Sequence, residues 1–296
     1  MERTAIWTKQ ERLFPYIAIF PAVVLIVLVG LVPVIYTFIL SLQEYELIKP
    51  PAKFIGFANY LDLLLHNFRY LHALIFTIVF AVVATTLELV VGFFVAYLLA
   101  DKEVSEKYSS VIRTLSMVPF VVAPVVVSYT FKTLIYDQTF GYLNYFLKFF
   151  NIPGFDIFHG AMNAPLGILV MEVILRTPFI AIVLYAGISS IDPSILDAAE
   201  IDGASWLERL TNVVIPTIRP IIVVAYVLRF IDALKMFDEI YVVTGGGPGY
   251  VTENVSVFAV NQAFVYFHMG SAAAAAFIFL VVVMLLVSMF MKAFKF

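Results

Sequence analysis

The chain has 296 residues, of which 62% are hydrophobic and only 13% are charged, and its formal net charge is −3. Soluble domains carry about 25% charged residues, so long apolar segments inside a bilayer are needed to explain this composition, and the small net charge does not indicate a nucleic-acid partner. Because the sequence contains no cysteine, disulfides, thiol chemistry and cysteine-based metal sites are excluded.

Six apolar segments are long enough to be membrane-spanning helices. The first has no charge between residues 13 and 43, which is longer than the apolar core of a cleaved signal peptide. The predicted spans are about 13–41, 71–100, 112–136, 163–189, 214–243 and 271–291. Since no long soluble segment separates them, the sequence predicts an all-α integral membrane protein with a single domain over residues 1–296.

The lysines and arginines of the short loops predict the orientation of these spans. With six spans, the side that holds both termini carries ten basic residues and the other side carries four. Both termini, and the loop 190–212 between the fourth and fifth spans, are therefore expected in the cytoplasm. The ten are Arg3, Lys9, Arg12, Lys102, Lys107, Arg113, Arg209, Arg219, Lys292 and Lys295, and the four are Lys49, Lys53, Arg69 and Lys148.

The loop 190–212 contains the acidic stretch DAAEIDGASW at 197–206. Ser194–Asp197 and Ser205–Glu208 have the pattern of capping boxes, so two short helices are predicted. Gly203 can end the first helix because glycine adopts a left-handed conformation at little cost. Helices shorter than about 12–15 residues are marginal in water, so this pair needs a surface to pack on, either its own bundle or a partner.

Ionisable residues inside spans are costly and indicate either function or mutual pairing. Glu172 and Arg176 are four residues apart on one face of the fourth span. The fifth span carries five such residues at helical spacing, which predicts pairing of Arg229 with Asp232, of Asp232 with Lys235, and of Lys235 with Asp238 or Glu239. These groups either neutralise one another and fix helix packing, or they face a cavity.

Two features argue against an enzyme. The glycine cluster Gly245–Gly249 lacks the Gly-Lys-Ser/Thr ending of a phosphate-binding loop, and Pro248 removes a backbone donor. A flexible outer loop is predicted there instead. The four histidines have no metal-ligand spacing such as H-E-x-x-H, so a metal site is not expected.

Four motifs in order resemble the permease subunits of bacterial and archaeal ATP-binding-cassette importers, in particular the carbohydrate-uptake branch of maltose-type and glycerol-phosphate-type permeases. The cytoplasmic signature of that family is present, with Asp197 in place of its glutamate. It reads Asp197-Ala198-Ala199, then Asp202-Gly203-Ala204, and then Val213-Val214-Ile215-Pro216, with nine residues between Gly203 and Val213. The other three are FIGFANY at 54–60, GYLNYFL at 141–147 and VVTGGGPGYVTENV at 242–255.

The resemblance implies a non-catalytic transport subunit in the cytoplasmic (inner) membrane of a bacterium or archaeon. Its cytoplasmic loop would be a coupling helix that docks onto a separate ATP-binding subunit, present in two copies, so that ATP and Mg²⁺ are bound there and no cofactor is bound by this chain. A second permease, in this branch usually a different chain, and an extracytoplasmic solute-binding protein are further implied partners. The coupling residues would be Asp197, Ala198, Ala199, Asp202, Gly203, Ala204, Trp206 and Leu207.

The resemblance also implies a central substrate cavity lined by the fourth and fifth spans. The residues placed there by the motifs are Arg176, Phe179, Arg229, Asp232, Ala233 and Met236. Phe179 would stack on a sugar or oligosaccharide, whereas the two arginines would suit an anionic solute such as a sugar phosphate or glycerol phosphate. An ion-coupled secondary carrier with Glu88, Glu172 or Asp232 as a proton site is the alternative of another class, but the paired internal repeats common in such carriers are not evident.

Overall fold

The computed structural model describes residues 9–101 and 105–293, and it describes their side chains except at 9–12, 50, 106 and 293. Arg3, Lys102 and Lys295, three of the basic residues used to predict orientation, lie outside the described residues. The contacts of the chain form two compact units, which are taken separately below. The expectation of a single domain over 1–296 stays a prediction.

The predicted spans are present among the described residues. Five helices there are long and apolar enough to cross a membrane, and a sixth span is formed if two helices joined by a 94° bend count as one. The five are Leu13–Ser41, Phe68–Leu99, Asn163–Ser189, Trp206–Leu234 and Met269–Lys292, and the bent pair is Lys107–Val121 with Pro124–Ile135. The fourth span has the predicted limits, whereas the third is bent between Val121 and Pro124 and the fifth extends from Trp206 to Leu234 instead of over 214–243.

The first unit comprises the described parts of Met1–His66 and Ala259–Ile278. Its helices and strands are α1 (Lys9–Ile26), α2 (Val32–Ser41), β1 (Gln43–Glu46), β2 (Lys49–Phe54) and α3 (Ala58–Leu65). The unit also contains a π-helical turn at Val27–Leu31, a second at Asn261–Val265, and the beginning of α15 (Met269–Ala293).

The short antiparallel hairpin β1–β2 was not predicted. It is the only β-sheet among the described residues of a chain that was predicted to be all-α. Its register pairs Gln43 with Phe54 and Glu44 with Lys53. The Asn59 amide of the FIGFANY motif donates hydrogen bonds to the carbonyls of Ser41 and Gln43, at 2.8 and 2.9 Å. This motif therefore has a structural role, because it ties α3 to the end of the first span.

The second unit comprises Asn67–Phe258 and Phe279–Phe296, described to residue 293. Its helices are α4 (Phe68–Leu99), α5 (Glu106–Ser116), α6 (Val118–Val121), α7 (Pro124–Thr130), α8 (Tyr142–Phe149), α9 (Asn163–Ser189), α10 (Pro193–Ile201), α11 (Trp206–Arg209), α12 (Ile215–Leu234) and α13 (Asp238–Val243). π-Helical turns at Phe131–Ile135 and Leu210–Val214 extend α7 and join α11 to α12, and α14 (Val255–Val260) begins in this unit.

The core of this unit is the packing of α4, α9 and α12. Glycines permit the close approach that helices need in a bilayer, where van der Waals packing replaces the hydrophobic effect. A Cβ atom on Gly92 would lie 2.9 Å from Cγ2 of Ile180, and one on Gly187 would lie 2.9 Å from Cδ1 of Ile221. The three helices are therefore held too close for larger residues at these two positions.

The third and fifth spans are both interrupted. Val122 and Ala123 are extended between α6 and α7, because a proline, here Pro124, disfavours helical geometry in the preceding residue. In the fifth span α12 ends at Leu234 and α13 begins at Asp238. The predicted continuous helix over 214–243 is thus wrong at 235–237.

The segment after the glycine cluster is hydrogen-bonded and buried, and the flexible outer loop expected at Gly245–Gly249 itself stays a prediction. The Asn254 amide donates to the Met236 carbonyl in the break of the fifth span and accepts from the Val257 N–H at 2.9 Å. Arg69 holds the buried Glu253 carboxylate through two hydrogen bonds, at 2.5 and 2.7 Å. The Asn254 side chain thus satisfies one carbonyl and one N–H group of non-helical backbone.

We expect Asn254→Ala to destabilise the protein, because it leaves the Met236 carbonyl and the Val257 N–H buried without their partner. Each unsatisfied buried group costs about 1–3 kcal/mol. The thermal unfolding midpoint of the purified protein in detergent measures the effect, and Asn212→Ala, at an exposed asparagine, is the control. Equal midpoints for the two variants would contradict this role of Asn254.

Candidate functional site

The loop after the fourth span forms a hook made of α10 and α11, here called the α10–α11 hook (193–209). Asp192 is the N-cap of α10, since its carboxylate accepts a hydrogen bond from the Ser194 N–H at 2.9 Å and Pro193 occupies the first helical position. The capping box predicted at Ser194–Asp197 is therefore wrong. The hydrogen bond from the Ser194 backbone lowers the pKa of Asp192.

Gly203 ends α10 as predicted. Its φ is +80°, and the N–H groups of Gly203 and Ala204 donate to the carbonyls of Glu200 and Ala199, both at 3.0 Å. This is the Schellman arrangement, in which a left-handed residue after the helix satisfies its last carbonyls. A side chain at position 203 would strain the turn between the two helices of the hook.

The second capping box is confirmed. The Ser205 N–H donates to Glu208 at 2.8 Å and the Glu208 N–H donates to the Ser205 hydroxyl at 3.4 Å. The Ser205 hydroxyl and N–H lower the pKa of Glu208, so this cap is present at neutral pH and is lost as pH falls through the lowered value. Arg209 donates to Glu200 at 2.9 Å and ties α11 to α10.

One side of the hook packs on its own bundle and the other side is exposed. The rings of Trp206 and Tyr97 on α4 meet edge-on, with 5.9 Å between centroids. Ile201 is 86% exposed and Leu207 57% exposed, so both present apolar surface on the side of the hook that faces away from the bundle. Of the predicted coupling residues, Asp197, Ala198, Asp202, Gly203, Trp206 and Leu207 are exposed, and Ala199 and Ala204 are partly buried.

A cavity of about 370 Å³ lies where the breaks of the third and fifth spans meet. The fourth span forms another wall of the cavity. The cavity is lined by Phe120, Pro124, Glu172, Arg176, Arg229, Asp232, Lys235, Met236, Phe237, Asp238 and Glu239. Carboxylates, ammonium and guanidinium groups and two aromatic rings thus converge within the membrane-spanning part of the chain.

Four of the six predicted cavity residues line this cavity, namely Arg176, Arg229, Asp232 and Met236. Phe179 does not; its ring stacks on that of Phe120, at 5.4 Å between centroids. Ala233 is 2% exposed and packs with Phe230 and Leu234. Successive helical residues point about 100° apart, so Ala233 faces the core when Asp232 faces the cavity. Phe179 and Ala233, which were both predicted to line the cavity, therefore do not line it.

Arg229 is the centre of a buried cluster of charges. Its guanidinium donates to both carboxylate oxygens of Glu88, at 2.8 and 3.1 Å, and to Glu172 at 2.9 Å. All three residues are at most 2% exposed. Glu88 was not predicted as a cavity residue, although it is the one charge that interrupts the second span, and such a charge calls for a partner in another helix.

The cluster continues toward the break of the fifth span. Arg176 donates to Glu239 at 2.5 Å and lies 3.6 Å from Glu172. The predicted pairs of Asp232 with Arg229 and Lys235 are confirmed, at 3.7 and 3.5 Å. Lys235 pairs with Asp232, whereas the further predicted pair of Lys235 with Asp238 or Glu239 is not formed, because the interruption at 235–237 removes the helical register that the prediction assumed.

The charges of the cavity do not favour an anion. Its lining holds four carboxylates (Glu172, Asp232, Asp238 and Glu239) and three cations (Arg176, Arg229 and Lys235). Each of these cations is ion-paired with a carboxylate. An uncompensated positive group, which an anionic solute would need, is not present among the described lining residues.

We expect Arg229→Met to destabilise the protein strongly, because it leaves Glu88 and Glu172 buried without their cation. Removing one partner of a buried ion pair costs roughly 3–5 kcal/mol. The thermal unfolding midpoint in detergent measures the effect, and Lys235→Met, at a side chain that is 60% exposed, is the matched control. A midpoint unchanged by Arg229→Met would refute this assignment.

Comparisons with known proteins agree with the geometry. Residues 88–295 match the family model "Binding-protein-dependent transport system inner membrane component". The trehalose/maltose transport system permease protein MalF of Thermococcus litoralis is 31% identical over 88% of this chain and 85% of its own length. The trehalose transport system permease protein SugA of Mycobacterium tuberculosis is 33% identical over 96% of this chain and 89% of its own length.

Among solved structures, a chain of a bacterial alginate transporter of the ATP-binding-cassette class, in complex with an alginate pentasaccharide-bound periplasmic protein, has the same fold. The TM-score is 0.80, with 18% identity, and the match covers 96% of this chain and 95% of the other. At this identity the likeness concerns the fold alone. It confirms the predicted all-α permease fold.

Proposed function

Because the chain belongs to the family of binding-protein-dependent transport system inner membrane components, we propose that the solute it moves is a sugar or oligosaccharide. The chain is a multi-pass membrane permease subunit of an ATP-binding-cassette importer, and it is not itself an enzyme. Transport would proceed by alternating access, with both termini and the α10–α11 hook in the cytoplasm. The loop charges support this orientation.

The observation that carries the proposal is the cavity at the two helix breaks. Interrupted helices inside a membrane are tolerated where they line a cavity, and several transporter folds bind their substrates beside such breaks. Here Phe120 lies just before the break of the third span and Phe237 lies in the break of the fifth, and both line the cavity together with Asp232, Lys235 and Asp238. Aromatic faces suit the C–H face of a sugar ring, and the polar groups suit its hydroxyls.

The pairing of the two arginines favours a neutral solute over an anionic one. Arg229 is held by Glu88 and Glu172, and Arg176 by Glu239. An anion would have to displace a buried carboxylate to reach either guanidinium, which would leave that carboxylate without its charge partner. A sugar phosphate or glycerol phosphate is therefore the less favoured alternative.

The exposed side of the hook would dock onto a separate ATP-hydrolysing subunit. Ile201 and Leu207 supply an apolar centre, and Asp197 and Asp202 supply an acidic edge, which suits a cleft with apolar and basic residues. ATP and Mg²⁺ would be bound by two copies of that subunit and no cofactor by this chain. A second permease, expected to be a different chain, and an extracytoplasmic solute-binding protein would complete the importer.

Because the chain belongs to this family, the alternative of an ion-coupled secondary carrier is rejected. In agreement, two of the three carboxylates considered for a proton site, Glu88 and Glu172, are engaged by Arg229. The third, Asp232, is paired with Lys235 and Arg229 at the cavity.

We expect Ile201→Asp to abolish docking of the ATP-hydrolysing subunit, because a charge replaces the most exposed apolar side chain of the hook. Co-purification of that subunit and sugar-stimulated ATP hydrolysis should both fall at least tenfold. Asn212→Asp adds the same charge at an exposed residue beyond the hook and should leave both unchanged. Normal co-purification of the Ile201→Asp complex would exclude this surface as the docking site.

We expect Asp232→Asn with Asp238→Asn to raise the KM of solute uptake about tenfold, since both side chains line the cavity and lose charge-assisted hydrogen bonds to hydroxyls. Uptake of labelled trehalose and maltose into proteoliposomes of the whole importer measures this, with Asp62→Asn at an exposed side chain of α3 as control. Competition by sugar phosphates but not by neutral sugars would overturn the choice of a neutral solute.

A further inference from the structure

The connection between the third and fourth spans presents a dense set of exposed aromatic side chains. Six lie within eleven residues around α8, and each is at least 54% exposed. They are Phe140, Tyr142, Tyr145, Phe146, Phe149 and Phe150. Such a patch in contact with water is a liability for aggregation, so we expect it to be covered in the working protein.

The exposed face is part of a fixed structure. Asn144, on the other side of α8, donates to the carbonyls of Asp137 and Phe155, both at 3.2 Å, and accepts from the Phe155 N–H at 2.6 Å. Leu143 packs against a core cluster that contains Tyr136 and Ile157. The helix is thus held by one side, and its aromatic rings point outward because the opposite side is anchored.

The anchor also determines where α8 lies. Asp137 lies two residues after the apolar segment Pro124–Ile135 that ends the third span. Its carboxylate accepts from the N–H groups of Thr139 and Phe140, both at 2.8 Å, which turns the chain at once. Hydrogen bonds from Asn144 to this turn keep α8 beside the end of the span. The end of a spanning segment is where hydrocarbon gives way to headgroups, so we expect α8 at that level.

The composition of the segment favours lipid over a protein as the covering partner. Between Asp137 and Asp156 the only charged residue is Lys148. A protein-binding patch is generally bordered by a polar rim, whereas tyrosine and other amphipathic aromatic residues concentrate at the membrane–water interface. A single lysine can place its ammonium group among lipid phosphates while its stem stays in apolar surroundings.

We propose that α8 is an interfacial helix whose aromatic face, formed by Tyr142, Tyr145, Phe146 and Phe149, lies in the headgroup layer of the leaflet opposite the α10–α11 hook. The loops before and after the fourth span are on opposite sides of the membrane, so α8 and the hook are too. Lipid contact at α8 fixes the depth of the second half of the broken third span, whose first half carries the cavity residue Phe120.

The absence of cysteine permits a direct test. A nitroxide label is placed on Tyr145→Cys, Phe149→Cys or, as control, His159→Cys, an outer-loop side chain that is 82% exposed. Each labelled importer is reconstituted in nanodiscs of phosphatidylethanolamine and phosphatidylglycerol. Collisions of the label with apolar oxygen and with a water-soluble nickel complex are then measured by electron paramagnetic resonance.

We expect the labels at 145 and 149 to collide several-fold more with oxygen than with nickel, and the label at 159 to show the reverse. Free access of nickel to both α8 labels would overturn the proposal. Protection that appears only when the solute-binding protein is added would also overturn it and would identify a protein-docking face. The collision rates do not depend on the solute, so they test the position of α8 independently of the proposal that the solute is a sugar.

Discussion

The arrangement of the second unit depends on the burial of one guanidinium group. Arg229 on α12 is held between Glu88 on α4 and Glu172 on α9, and all three residues are at most 2% exposed. A buried charge without its partner costs several kcal/mol, so rotation or sliding of any one of these helices is strongly opposed. The close packing at Gly92 and Gly187 brings the helices near enough for these contacts to form.

The same cluster shapes the cavity. Glu172 approaches Arg176, and Arg176 holds Glu239 beyond the break of the fifth span, so charge pairing continues from the core to the short helix α13. The guanidinium groups are thereby occupied, and the ammonium of Lys235 is paired with Asp232. The ion pairs that join these helices therefore also occupy the positive groups that line the cavity.

A continuous run of helix connects the hook to this cluster. The fifth span extends from Trp206 to Leu234 through a π-helical turn, and roughly 35 Å of helix separate Trp206 from Arg229 at 1.5 Å per residue. Trp206 also contacts Tyr97 on α4, the helix that carries Glu88. A displacement of the hook by a docked subunit would therefore act on two helices that are joined again at the buried charges.

Local patterns in the sequence were sufficient to predict the spans, the turn at Gly203, the capping box at Ser205 and the neighbouring ion pairs of α9 and α12. These depend on residues within a few positions of one another, whose relative placement a helix or turn determines. The partner of Glu88, the helix break held by Asn254 and the inward orientation of Ala233 depended on tertiary structure. Each of these depends on how helices distant in sequence rotate and pack against one another, which local spacing does not specify.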